Sequence, residues 1–217
     1  MKLTLQSKKQ EADGVFTLYF TASIPAIWVA GQSIKLELPI ANYDTDERRF
    51  TISTAPHEKI IAITTRLTSS LFKRSLFALQ LGGTVEASAI EGDFIWEESE
   101  KPHLFIAGGI GITPFFAMLK DREYKQLSLK AKLLYISPEL TLPFMQQLDR
   151  WHQRYPEFNL THIDKKTQFN DVKNTSSGYI YISGPARMVL DVQDQLLDEG
   201  IPPHLVKTDQ FTGYKQF

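Results

Sequence analysis

The run Ala107-Gly108-Gly109-Ile110-Gly111-Ile112-Thr113-Pro114 is where chemistry is easiest to place in this sequence. It follows a continuous, largely apolar stretch at 103–107 and opens a helical pattern. Glycines let a chain turn tightly and approach a ligand closely. Thr113 suits a helix N-cap and Pro114 the first helical position. A helix start presents unpaired N–H groups and the positive end of a dipole, which together suit a diphosphate. The run departs from G-x-G-x-x-G, because Pro114 stands where the third glycine belongs. A tight strand-to-helix turn without any ligand accounts for the same residues.

A second cluster is Glu47-Arg48-Arg49-Phe50-Thr51-Ile52-Ser53-Thr54. The arginine fork matches a phosphate bidentately. Strand alternation lets Arg48, Phe50 and Ile52 share a face, setting a phosphate clamp beside an aromatic wall. Solvated charges on an edge strand with a core phenylalanine are the plainer alternative. Thr68-Ser69-Ser70, just before a helical pattern, offers a second anion cradle or an ordinary cap. Tyr181-Ile182-Ser183-Gly184-Pro185 ends another apolar stretch at a helix start. Ligands of open α/β sheets sit at such strand ends. The tail Thr208-Asp209-Gln210-Phe211-Thr212-Gly213-Tyr214-Lys215-Gln216-Phe217 carries three aromatics, which suggest docking in a core or against a flat ring.

The elements that must position these residues fall into two halves. Residues 2–8, 14–20, 33–38, 50–54, 59–65 and 84–89 read as short strands at even spacing, with Asp13-Gly14 as a turn. They suggest a small antiparallel barrel, interrupted by one helix through Leu71, Phe72, Leu76 and Leu79. Later, strands at 103–107, 131–136, 158–163 and 179–183 alternate with helices that start at the glycine run, near 142–153 and near 186–198. That alternation means a parallel sheet with crossovers. The polar stretch Glu97–Pro102 reads as a linker, so the expected division is a β-barrel domain at 1–99 and an α/β domain at 100–217. Residues 164–177 read as an exposed loop.

Composition narrows the function. A net charge of −1 over 217 residues lacks the electrostatic footprint of a nucleic-acid binder. The absence of cysteine excludes disulfides and a thiolate-held cluster in this chain. His57, His103, His152, His162 and His204 show no metal-ligand spacing, so no metal site is expected. Neither a signal peptide nor a membrane span is legible, and a cytoplasmic protein is expected.

In this order, the pieces resemble the ferredoxin–NADP reductase superfamily over nearly the whole chain. The resemblance implies a flavin-binding barrel, a nicotinamide-binding α/β domain, FAD as cofactor and NADH or NADPH as co-substrate. The implied activity is hydride transfer to the flavin and electron delivery to an external acceptor: a ferredoxin-like protein, a free flavin, a ferric complex or a membrane partner. By resemblance, Arg48 holds the flavin diphosphate, Phe50 packs on the isoalloxazine, and Thr51 hydrogen-bonds near its reactive nitrogen, with Ile52 and Ser53 completing the strand. Ser69 and Ser70 are similar to the second diphosphate segment. Gly108, Gly109, Gly111, Thr113 and Pro114 are similar to the nicotinamide-nucleotide loop. Ser183-Gly184-Pro185 resembles the late Cys-Gly-Pro motif, with Ser183 and Phe211 beside the reacting rings.

Three departures stand out. Phe50 replaces a tyrosine, and Ser183 replaces a cysteine. Ser137-Pro138-Glu139 lacks the basic cluster that grips a 2′-phosphate, which leans toward NADH. Two further readings stay open: an electron-transfer subunit of a larger complex, and a non-catalytic nucleotide-binding module.

Overall fold

A computed structural model describes residues 1–40, 43–139, 141–164 and 178–211. Alternation builds its first sheet. In β1 (Lys2–Ala12), Leu3 and Leu5 are fully buried while Lys2 is exposed. Asp13-Gly14 turns the chain into β2 (Val15–Ala22), with Gly14 at φ 65°. The strands β3 (Ser33–Ile40), β4 (Tyr43–Thr51), β5 (Ile61–Arg66) and β6 (Thr84–Glu91) complete an antiparallel sheet ordered β4-β3-β6-β1-β2-β5. It curls like a barrel without closing; its edges meet at an isolated bridge, Ile52–Ile63. Helix α1 (Leu71–Ala78) buries Phe72 and Leu76 in the core of this sheet.

The second sheet is parallel, ordered β11-β10-β7-β8-β9. Its strands are β7 (His103–Gly108), β8 (Ala131–Ile136), β9 (Phe158–Ile163), β10 (Ile180–Pro185) and β11 (Val206–Phe211). All six positions of β7 are buried, because both faces are covered. Phe105 and Ala107 join the core under α2 (Ile112–Tyr124) and α3 (Met145–Arg154). Leu104 and Ile106 join the core under α4 (Ala186–Asp198).

Several expectations shift. The strand expected at 50–54 runs through Tyr43–Thr51, so Arg48 and Arg49 lie inside it, and Ile52 makes only an isolated bridge. Thr113 is not an N-cap, nor is Pro114 the first helical residue. The chain enters the helix through a 3-10 turn at Gly109–Gly111, Gly111 takes the cap position, and Thr113 Oγ1 donates back to the Ile110 carbonyl at 3.1 Å. Gly109, at φ 53°, starts that turn early, and the Ile112 N–H is already bonded to its preceding carbonyls. The helix expected from 142 starts at Met145, since Pro143 disfavours helical geometry at Leu142 and Phe144 takes φ 66°. The tail residues 206–211 form a strand that was not anticipated. Tyr214, Phe217 and the loop expected at 164–177, except Asp164, lie outside the described residues. Among the described residues, no helix is long and apolar enough to cross a membrane.

Candidate active site

Two cavities adjoin where the sheets meet. The larger, about 480 Å³, takes Arg48, Phe50 and Thr51 from β4, and Ser70 and Lys73 from the start of α1. Its other wall comes from Asp209 and Phe211 of β11 and from Ile110 and Thr113 at the entry to α2. Arg48 and Phe50 both approach Phe72, the guanidinium 5.8 Å above its ring and the Phe50 ring 6.0 Å away. They share a face, as strand alternation requires. Arg48 is paired with Asp46, and its Nη1 donates to the Glu47 carbonyl at 2.8 Å. Arg49 reaches the Glu91 carboxylate at 2.5 Å. Burial, and then the Arg66 charge, pull the Lys73 ammonium down to about 8. The lining cations here are Arg48, Arg49 and Lys73, the two arginines matched by carboxylates, with the start of α1 beside them.

Among the described residues, Asp209 is the acidic group lining this cleft. Asp209 Oδ2 accepts a hydrogen bond from Thr51 Oγ1 at 3.2 Å and another from Ser183 Oγ at 3.4 Å. The parallel pairing of β10 with β11 puts Asp209 beside Ser183, and packing of the two sheets brings Thr51 to the same atom. Burial raises the carboxyl above its usual range, against the two hydroxyl donors and the Arg49 charge.

The smaller cavity, about 330 Å³, lies at the carboxyl ends of the parallel strands and is lined by Gly108, Gly109, Ser137 and Pro185. Arg187 and Met188 of α4, Glu139 and Asp164 also line it, and Arg66 enters from the first sheet. Ile110 and Phe211 border both cavities and form the partition between them.

Of the residues singled out by sequence, Arg48, Phe50, Thr51, Ser70, Thr113 and Phe211 line the larger cleft. Gly108, Gly109, Pro185 and again Phe211 line the smaller. Ser183 is fully buried and joins them through Asp209. The others line neither cavity. Ile52 is fully buried in the first core, and Ser53 bonds to the Ala62 carbonyl and Thr64. Ser69 is exposed. Pro114 is buried in α2. Gly111 and Gly184 act behind the wall, where a Cβ on Gly111 would overlap the Ser183 carbonyl and one on Gly184 would lie 3.0 Å from Gly108. Sequence reasoning missed Asp209, Lys73 and Arg66. For Asp209, the available signal was an acidic residue two positions before the aromatic Phe211, which puts both on one face of a strand.

A barrel-like antiparallel sheet joined to a five-stranded parallel sheet is the fold of the ferredoxin–NADP reductase superfamily, which the sequence motifs resemble. Over 97% of this chain and 98% of the other, the structure matches the FAD/NAD-binding domain of a nitric oxide dioxygenase from Vibrio cholerae O1 biovar El Tor, with a TM-score of 0.85 and 20% identity. Among curated proteins, flavohemoprotein B of Dictyostelium discoideum is 27% identical over 86% of this chain and 52% of its own length. The toluate 1,2-dioxygenase electron transfer component of Pseudomonas putida is 26% identical over 81% of this chain and 56% of its own length. The chain thus spans about half the length of these relatives. No family model matches it.

Proposed function

We propose that the chain is a flavin-dependent NAD(P)H reductase module, with FAD in the larger cleft and the nicotinamide nucleotide in the smaller one. The carrying observation is the convergence of Thr51, Ser183 and Asp209 from both sheets at the wall of the larger cleft. The residues fit the cofactor. The cleft volume lies in the ordinary range for small-molecule sites, and the exposed Arg48 fork and Lys73 on its wall suit a diphosphate. A bound flavin would supply the exchange between two-electron and one-electron transfer.

The remaining work belongs to the protein. Arg48, Lys73 and the Ser70 end of α1 hold the phosphates, and Phe50 packs against the ring system. Phe211 and Ile110 sit where the two ligands meet and keep water out. Asp209 fixes the Thr51 and Ser183 hydroxyls through Oδ2, which orients both toward the place where the two ligands meet. Close alignment of the two rings is the main catalytic task. Asp164 in the nucleotide cavity favours a ribose 2′-hydroxyl over a 2′-phosphate, hence NADH. The proposed division is a flavin domain at 1–99 and a nucleotide domain at 100–217.

The acceptor lies outside the chain. One relative is an electron transfer component, and the chain spans about half of its relatives' length. These observations favour a reductase module that delivers electrons to a partner protein or domain. The test is an anaerobic visible spectrum of the purified protein. The expected result is flavin bands that bleach faster with NADH than with NADPH. A protein that takes up neither FAD nor FMN on reconstitution would overturn the reading.

A further inference from the structure

Arg66 ends β5 in the first sheet and Glu139 follows β8 in the second, yet Arg66 Nη2 and Glu139 Oε2 form an ion pair and both residues line the smaller cavity. Among the described residues, the other charged groups lining that cavity are Arg187 and Asp164, two cations against two carboxylates. A nicotinamide dinucleotide brings a doubly charged diphosphate. The Gly108-Gly109 turn can offer main-chain N–H groups to it but no net positive charge. Arg66 is the cation with a planar fork that reaches this cavity from the opposite sheet, and Glu139 already holds its Nη2. The two side chains are 29% and 38% exposed, so water screens the pair and a better partner can displace it. A phosphate is such a partner, because it accepts two parallel guanidinium bonds at higher charge.

We propose that Arg66 is the diphosphate-binding side chain of the nucleotide cavity, and that Glu139 is a built-in competitor which the incoming phosphate displaces from the guanidinium. This rests on the nucleotide reading above and adds an exchange to it. Nucleotide binding then breaks an ion pair that ties the two sheets together, and nucleotide release restores it. Arg66 does not swing free in the exchange, since its Nη1 lies 3.4 Å from the Asp13 carbonyl.

The test is calorimetric titration of the flavin-loaded protein with ADP, which carries a diphosphate, and with adenosine, which does not. Glu139→Gln is expected to tighten ADP binding roughly two- to fivefold and to leave adenosine unchanged. Arg66→Met is expected to weaken ADP binding about tenfold and to abolish the gain from Glu139→Gln in the double variant. Arg66→Lys keeps the charge without the fork and should fall between, which separates a lost contact from a misfolded protein. The exchange is overturned if Glu139→Gln weakens ADP and adenosine alike, the mark of a carboxylate that holds ribose hydroxyls. It is also overturned if the wild-type protein binds ADP and no variant changes it. Failure of the wild-type protein to bind either ADP or NADH would instead remove the nucleotide reading itself.

Discussion

The two cavities are built by different means. The smaller one has a glycine-built floor, Gly108 and Gly109 with Pro185 where parallel strands end, packed closely against α4, and side chains such as Arg66 and Glu139 around it. The larger is a meeting of side chains from two sheets, with Phe50 and Thr51 on one wall and Asp209 and Phe211 on the other. A main-chain wall tolerates little change, because an added Cβ has nowhere to go. A side-chain wall tolerates substitution but depends on the seam between the sheets. Loss of a backbone contact should therefore cost the fold, whereas loss of a side chain at the seam should cost the chemistry.

Gly111→Ala should give the largest effect. Its Cβ would overlap the Ser183 carbonyl and sit 2.7 Å from the Gly184 nitrogen, both backbone atoms that cannot step aside. A loss of about 3 kcal/mol of stability is expected, read by denaturant unfolding. A loss near zero would mean that the glycine wall is looser than its packing implies.

Asp209→Asn comes next and should act in the opposite sense on fold and chemistry. Reduction of bound flavin by NADH, followed by stopped flow, should slow by about tenfold, because an amide no longer accepts from both the Thr51 and Ser183 hydroxyls and their alignment is lost. Stability should rise at neutral pH. The folded carboxyl has its pKa raised, so the folded state favours the protonated form. The wild-type protein is thus unpenalised below the ordinary carboxylate range and loses stability as pH climbs through the raised value. Melting curves of the two proteins should converge in acid and separate toward neutrality. Parallel curves would place the carboxylate in a better-solvated site than its burial indicates.

Gly109→Ala tests the main-chain wall where space is open. Nothing lies within 4 Å of a Cβ there, but φ is 53°. The cost should be about 1 kcal/mol, from the left-handed conformation alone. ADP affinity should fall more than stability does, since the methyl group would stand where the phosphate approaches. Equal losses would mean that the turn is structural only.

The same contrast explains what was legible in the sequence. The glycine run could be read because its constraint is local: a strand, a tight turn and a helix start within eight residues. Arg48, Phe50 and Thr51 could be read because alternation fixes which side chains share a face. Asp209 could not. Its partner Thr51 lies 158 positions away, and the two meet only once β11 joins the parallel sheet and the sheets abut. Lys73 and Arg66 were hidden for a similar reason, as ordinary charges on a helix and a strand end until the second sheet closes over them. The misplaced start of α2 has the opposite origin. Thr113-Pro114 is a good local start signal, but the turn at Gly109 begins the helical path before it.

The smallest effect should come from a contact on the seam away from both cavities. The His57 and Tyr124 rings stack at 3.8 Å, and nearby Lys120 Nζ meets Glu58 Oε1 at 2.6 Å, joining the loop after β4 to α2. Tyr124 is largely exposed, so Tyr124→Ala should cost only about 0.5–1 kcal/mol. Its value lies in which ligand notices. A cleft walled from both sheets should lose FAD affinity by a few fold, roughly the same free energy. Adenosine, held by the strand ends of one sheet, should bind as before. Parallel titrations of apoprotein with FAD and of holoprotein with adenosine read the difference directly. If adenosine weakens as much as FAD, the two cavities share the seam equally, and the division between a main-chain wall and a side-chain wall fails.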